Sequence, residues 1–339
     1  MITMRDVAER AGVSVTTVSH VINETRPVSE ERRARVLVAM DELGYQPNRL
    51  ARSLRRGKTH TIGMIVPDNV NPFFAEVARG IEDGGFEQGY SVILCNSDGD
   101  LEKELFYTDV LVAKQVDGIV FVAAGMSTEH IRDLQERRIP LVVIDREIPH
   151  VAVDSVLTDN AQGGWLATRH LLELDHRRIG CIAGPSDVTP SAERITGYRQ
   201  ALHEAGISAH GALVVKGDFQ YESGHQAARR LLEKDDPPTA IFACNDLMAV
   251  GAISAAVSAG WQVPADLSVV GFDDVRLASF ANPPLTTIAQ PKYEMGVLAV
   301  EMLLERMQDY DMPPRRGLLD TTLVIRRSTA KVGVQSCRS

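Results

Sequence analysis

The stretch Met4-Arg-Asp-Val-Ala-Glu-Arg-Ala-Gly-Val-Ser-Val-Thr-Thr-Val-Ser-His-Val-Ile-Asn23 reads as two short helices joined by a tight turn. Thr3 and Asp6 give a T-x-x-D start, in which the hydroxyl caps the first helix and the carboxylate favours its positive end. Val7, Ala8 and Ala11 then share one face. Gly12 permits a sharp turn, Val13 is apolar, and Ser14 is placed to cap the second helix. That helix turns Val18, Val21 and Ile22 inward. Ser29 is expected to cap a third helix from Glu30 to Leu43, with Val36, Leu37, Met40 and Leu43 facing inward and Gly44 ending it. Spacing alone fits a helix-turn-helix and a generic three-helix bundle equally well. The outer face of the second helix separates them. Val15, Thr16, Thr17, Ser19, His20 and Asn23 are short or neutral side chains able to approach base edges, where a merely solvated face would carry Lys and Glu.

Residues 45–60 are strongly basic, with Arg49, Arg52, Arg55, Arg56 and Lys58. Pro47 stops the preceding helix, Asn48 starts a short new one, and Gly57 ends it, with Leu50, Ala51 and Leu54 on a separate side. A flexible tether is the alternative reading of this segment. Residues 1–60 hold 11 Lys and Arg against 7 Asp and Glu, whereas the remainder holds 25 against 38 and the whole chain carries −9. A small basic unit on a large acidic one is the asymmetry expected when only the N-terminus touches phosphate.

From Thr61 the pattern changes to short apolar runs alternating with amphipathic helices. The runs are 62–66, 91–94, 118–122, 141–144, 179–183, 212–215, 240–243, 267–270 and 287–289. Helices are expected over 73–88, 104–114, 162–174, 192–205 and 221–233. Alternating βα units imply parallel sheets with helices on both faces. His60-Thr-Ile-Gly-Met-Ile echoes Arg178-Ile-Gly-Cys-Ile, which suggests two similar lobes.

Ligands of parallel sheets bind beyond the carboxyl ends of the strands. Several runs here end at planar polar groups: Asp145-Arg146, Asn245-Asp246, Asp273-Asp274 and Gln290. Asn71 with Phe73 and Phe74 follows the first run, and Arg194 lies near a helix start. Such side chains match the adjacent hydroxyls of a sugar. For any one of them a helix cap or turn is the alternative. Convergence of six strand ends on the same chemistry argues for a site.

Other function classes find little support. There is no GxxxxGK[ST], GxSxG or HExxH, so catalysis, a cofactor and a metal are not expected. Cys95, Cys181, Cys244 and Cys337 lie far apart without metal-ligand spacing and are expected reduced. No run of apolar residues is long enough to span a bilayer, and no apolar stretch follows the N-terminal charges. A cytoplasmic, nucleoid-associated location is expected, with no membrane partner.

The opening stretch resembles the helix-turn-helix of the LacI/GalR family of bacterial repressors, and Pro47-Asn-Arg-Leu-Ala-Arg-Ser-Leu54 resembles that family's hinge helix. Val116-Asp-Gly-Ile, Thr158-Asp-Asn, Asn245-Asp-Leu-Met-Ala, Val270-Gly-Phe-Asp-Asp274 and Leu285-Thr-Thr-Ile-Ala-Gln-Pro291 extend the resemblance through nearly the whole chain. It implies an all-α helix-turn-helix domain (1–46), a hinge helix and linker (47–60), and an α/β periplasmic-binding-protein-like sensor (61–339) that also dimerises. The sensor would have two doubly wound lobes, the first about 61–160 and 291–320 and the second about 161–290 and 321–333. Homodimers would bind palindromic operator DNA through Ser14, Val15, Thr16, Thr17, Ser19, His20, Asn23 and Arg26, with Asn48, Ala51, Leu54 and Arg55 contributed by the hinge. Thr16, Thr17 and His20 would face the major groove, and Leu54 would wedge open a base step in the minor groove. Many members carry Arg where this chain has His20, so their operators do not transfer directly.

Among sugar binders of this kind the ribose pattern matches best. It implies an effector site of Asn71, Phe73, Phe74, Asp145 and Arg146 from one lobe and Arg194, Phe219, Asn245, Phe272 and Asp273 from the other, with Gln290 at the crossing. Overall similarity to bacterial ribose operon repressors points the same way, with ribose acting as inducer. A purine-responsive repressor of corepressor type is the sharper competitor, although Arg146 and Asn71 favour sugar hydroxyls over a stacked base. A transport solute-binding protein is the remote one, since it would have no use for residues 1–60.

Overall fold

The computed structural model describes residues 2–23, 26–45, 58–122, 128–148, 150–185, 189–208 and 213–333. They fall in two compact units, Met1–His60 and Thr61–Ser339.

The first unit is helical: α1 (Met4–Ala11), α2 (Val15–Asn23) and α3 (Glu30–Glu42). The Thr3 hydroxyl accepts from the Asp6 amide while the Asp6 carboxylate accepts from the Thr3 amide, a complete capping box. Gly12 turns the chain at φ 64, and Ser14 Oγ accepts from the Thr17 amide at 3.1 Å to start α2. Val7, Ala8, Ala11, Val18, Val21, Val36 and Ala39 make the core, with Ile22, Met40 and Leu43 packed against it. Two expectations fail. Ser29 occupies the cap position of α3 without a side-chain capping bond. Leu37 is 49% exposed and Ala39 is buried instead, because the buried stripe runs Val36, Ala39, Met40, Leu43, and the residue after Val36 lies a quarter-turn or more round the helix. The hinge positions Asn48, Ala51, Leu54 and Arg55 lie outside the described residues.

The second unit holds two six-stranded sheets. Lobe 1 contains β1 (Thr61–Val66), β2 (Ser91–Asn96), β3 (Gly118–Val122), β4 (Leu141–Ile144), β5 (Asp154–Thr158) and β11 (Arg316–Leu319), in the order β2-β1-β3-β4-β5-β11. Lobe 2 contains β6 (Ile179–Ala183), β7 (Val214–Lys216), β8 (Ala240–Ala243), β9 (Ser268–Asp273), β10 (Thr286–Ala289) and β12 (Thr322–Val324), in the order β7-β6-β8-β9-β10-β12. The two orders correspond strand for strand, as the echo between the first strands implied. All pairs are parallel except β10 with β12.

Helices cover both faces, as buried strands require. In lobe 1, Ile62, Met64 and Val66 pack toward α4 (Pro72–Glu87) and α12 (Lys292–Gln308). Ile65, on the other side of the same strand, joins the cluster under α5 (Leu101–Ala113) and α6 (Thr128–Glu136). Lobe 2 is flanked by α7 (Asn160–Glu173), α8 (Thr189–Glu204), α9 (Tyr221–Leu232) and α10 (Asp246–Ser258), followed by the short α11 (Arg276–Phe280). Asp100 and Asp159 cap α5 and α7, which explains why those helices begin before the apolar pattern does. Among the described residues no helix is long and apolar enough to cross a membrane.

Candidate functional site

The strand order of each sheet reverses beside its first strand, and a cleft site is expected at the carboxyl ends there. In lobe 2 the centre is Arg194, on the second turn of α8 and 4% exposed. Its Nε donates to Asn160 Oδ1 at 2.8 Å and its Nη1 to the Cys244 carbonyl at 2.5 Å. Nη1 also lies 3.5 Å from Asp273 Oδ1. The guanidinium stacks over the Phe272 ring, 3.8 Å from its centroid, and stands 6.0 Å from the Phe219 ring. Such a stack fixes a cation by its face while leaving its edge for hydrogen bonds. A close approach of α7 to α8 sets the position: a Cβ at Gly164 would fall 2.1 Å from the Arg194 carbonyl.

Asp273 ends β9 with φ 109, and Asp274 follows with φ 53. Two consecutive non-glycine residues at positive φ cost about 1–3 kcal/mol each and persist only where surroundings over-determine them. Here Gln290 Nε2 donates to Asp273 Oδ1 at 2.8 Å, Arg326 pairs with Asp274 at 2.6 Å, and the Val275 amide donates to Asp246 Oδ2 at 2.8 Å. Burial raises the Asp273 carboxyl to about 6, against the opposing pull of Arg194, Gln290 and Lys292. Asp246, fully buried, is pushed well above the usual carboxylate range by burial and by the charge of Asp273. Thr158 Oγ1 of lobe 1 donates to Gln290 Oε1 at 2.6 Å, so the Gln290 amide links the lobes through to Asp273.

Lobe 1 contributes differently. Asp145 follows β4 at φ 76, is 8% exposed, and its Oδ1 has no hydrogen-bond partner. Burial raises its pKa, opposed by the charges of Arg194 and Arg146. Arg146 Nε is likewise buried without a partner. Buried polar atoms of this kind call for a polar ligand or water.

The expected effector residues thus divide. Arg194, Phe272, Asp273 and Gln290 form one bonded network, with Phe219 beside it. Asn245 caps α10 by accepting from the Met248 amide and donates through Nδ2 to the Phe219 carbonyl at 2.8 Å. Asp145 and Arg146 join through charge. Asn71 caps α4 by accepting from the Phe73 amide at 3.0 Å, and Phe73 meets Phe74 edge-on at 5.2 Å. Among the described residues no hydrogen bond or ring contact links these three to Arg194 or Asp273. The ribose pattern did not include Thr158, Asn160, Asp246 or Lys292. Thr158 and Asn160 lie in the motif Thr158-Asp-Asn, and Asp246 follows Asn245, so three of the four stood within noted stretches.

The candidate nucleic-acid face lies on α2, which contains no Asp, Glu, Lys or Arg. Ser14, Val15, Thr16 and Arg26 are exposed, while Thr17, Ser19, His20 and Asn23 are half-buried. The Thr17 hydroxyl bonds Ser14 Oγ at 2.9 Å, and Asn23 Nδ2 folds back to the Ser19 carbonyl at 2.8 Å. Thr16 and His20, four residues apart, share one stripe of the helix.

Comparison with known proteins bears on both regions. Residues 3–48 match the model for bacterial regulatory proteins of the lacI family, and residues 168–329 match a periplasmic binding protein-like domain. The chain is 41% identical over 335 residues to the HTH-type transcriptional repressor PurR of Aliivibrio salmonicida, covering 98% of this chain and all of that one. It is 44% identical over 331 residues to the ribose operon repressor of Escherichia coli K12, covering 97% and 100%. Among solved structures, the lac repressor dimer bound to operator and the anti-inducer ONPF superposes with a TM-score of 0.88 at 30% identity, over 97% of this chain and 99% of that one.

Proposed function

The chain belongs to the LacI family of bacterial regulatory proteins, a DNA-binding transcription repressor, and from that premise we propose that ribose, bound between its lobes, lowers its affinity for operator DNA. The observation that carries the sugar reading is the chemistry of the cleft. Arg194, Asp273 and Gln290 are planar, buried and mutually bonded, and Asp145 and Arg146 offer buried atoms with no partner. Paired donors and acceptors of this kind match vicinal hydroxyls. Phe272 is covered by the Arg194 guanidinium, so its ring is a support for the cation rather than a platform for a base.

Two chains would bind a palindromic operator, with Thr16, Thr17 and His20 facing the major groove and Ser14, Val15, Ser19, Asn23 and Arg26 around them. Asn48, Ala51, Leu54 and Arg55 would act in the minor groove. Residues 1–46 would be the DNA-binding domain, 47–60 the hinge, and 61–339 the sensor. The protein would act in the cytoplasm as a binder and not as a catalyst. Since sugar favours one lobe arrangement and DNA the other, linkage makes each weaken the other.

A purine corepressor is the second reading, favoured by the similarity to PurR. The two are separated by selecting a palindromic site from random DNA with the full-length protein and adding ligand. Release by D-ribose is the expected outcome, and Asp273→Ala should give a repressor that ribose does not release. Binding tightened by hypoxanthine and indifferent to ribose would overturn the sugar reading.

A further inference from the structure

The strained turn at Asp273-Asp274 is also supported from the other lobe by a direct contact, that of Lys292. Lys292 is the first residue of α12, and its side chain is 6% exposed. Its Nζ donates to the carbonyl of Asp273 at 2.6 Å, of Asp274 at 3.0 Å and of Gln290 at 3.4 Å. Glu76 of α4 stands 3.4 Å away and is half-exposed. The ammonium is therefore held by three backbone dipoles on one side and one carboxylate on the other.

The base of this side chain cannot drift. A Cβ at Gly80 of α4 would lie 2.1 Å from the Tyr293 carbonyl, and one at Gly296 of α12 would lie 2.3 Å from the Val77 carbonyl. The backbones of α4 and α12 touch directly at the turn that carries Lys292, and both helices pack on the sheet of lobe 1. The carbonyls of Asp273 and Asp274 that accept from Lys292 lie at the end of β9 in lobe 2 and just beyond it. Gln290 and Arg326 hold the carboxylates of this turn and Asp246 holds the Val275 amide, while Lys292 holds both carbonyls, sharing that of Asp273 with the Gln290 amide at 3.4 Å. A left-handed pair relaxes by rotating its peptide planes, and fixing the carbonyls prevents that rotation.

We propose that Lys292 is a positioning residue of the effector site: it ties the α4–α12 pair of lobe 1 to the Asp273-Asp274 turn of lobe 2 and so holds the Asp273 carboxylate where ligand is taken. The proposal rests on the reading of Asp273 as a ribose-binding group. It makes the orientation of Asp273 depend on how the lobes are set. A rotation of lobe 2 against α12 must either carry the turn with it or break the bonds to the Asp273 and Asp274 carbonyls.

The test uses the full-length protein. Lys292→Gln should raise amide hydrogen exchange at Asp274 and Val275 while α10 keeps its protection, and should lower affinity for D-ribose by roughly tenfold or more through lost preorganisation. Glu76→Gln removes only the outer partner; a smaller fall in ribose affinity with unchanged thermal unfolding is expected, and it decides the matter if Lys292→Gln does not fold. Unchanged exchange at the turn in Lys292→Gln overturns the proposal. So does raised exchange with unchanged ribose affinity, which marks a purely structural lysine, and, in the folding-failure case, unchanged ribose affinity in Glu76→Gln. If the wild-type chain takes up no ribose, the ribose reading falls by itself. The exchange measurement then decides: a rise confined to Asp274 and Val275 supports the tie, and no rise refutes it.

Discussion

Lobes 1 and 2 share a strand order but dispose of their strand ends in opposite ways. In lobe 2, Arg194, Asn160, Asp273, Gln290 and the Cys244 carbonyl satisfy one another before any ligand arrives. In lobe 1, Asp145 and Arg146 each keep a buried polar atom without a partner. The Arg194 network of lobe 2 is pre-organised, with the buried Ser191 hydroxyl of α8 outside it and unpartnered, whereas the Asp145-Arg146 pair of lobe 1 is unsatisfied. The same topology thus supplies rigidity on one side of a cleft and binding demand on the other. Ligand would be oriented by lobe 2, and closure would be driven by what lobe 1 lacks.

The largest way to break this comparison is Arg194→Met. It strands Asp273 and the Cys244 carbonyl together, so ribose binding should disappear in calorimetry. Removing one partner of a buried charge pair should also cost about 3–5 kcal/mol of stability in denaturant unfolding. Asp145→Asn probes the other lobe and should behave differently. Ribose affinity should fall roughly tenfold or more, the effect of an unpaired polar group in the bound state. The melting temperature should hold or rise, because the substitution removes a desolvated carboxylate with an unpaired oxygen. A large loss of stability in Asp145→Asn would erase the distinction between the lobes.

A smaller effect comes from pH. Burial sets the Asp273 carboxyl at about 6 rather than 3.8, so between those values the folded chain keeps a proton that the unfolded chain has lost. The contribution of this group to stability is therefore full below 3.8 and declines as pH rises through about 6. Ribose hydroxyls would donate to the ionised form, so ribose affinity should rise over the same interval, and binding near pH 5 should release a proton. Titrations in buffers of different ionisation heat check the proton count, and no release would detach Asp273 from the ligand. The mildest case lies in the other unit. Ser14→Ala removes the cap of α2 and should cost about 1 kcal/mol of local stability, weakening operator binding without altering ribose affinity.

Much of this arrangement was legible in the residues because it depends on local rules. Strand ends with Asp145, Asn245, Asp273 and Gln290 stood out from the apolar runs before them, and Thr3, Gly12 and Ser14 announced the first two helices by their capping and turn chemistry. Leu37 was misjudged because adjacent apolar residues on α3 compete for one buried stripe, and packing chose Ala39. Asn71 and Asn245 look alike in sequence whether they cap a helix or face a ligand, and their side-chain oxygens serve as caps. Asn160 and Lys292 were not legible as site residues. Their partners lie across the fold, Asn160 to Arg194 and Lys292 to Glu76, and no periodicity reports such pairs. The short β11 and β12 escaped for a related reason, since each exists by pairing at the edge of a sheet built from distant segments.

Whether the cleft between the lobes takes ribose is decided by calorimetric titration of D-ribose into the full-length protein, with hypoxanthine run beside it. Saturable heat with ribose at one site per chain and none with the purine is the expected result. Heat with hypoxanthine and silence with ribose would contradict it.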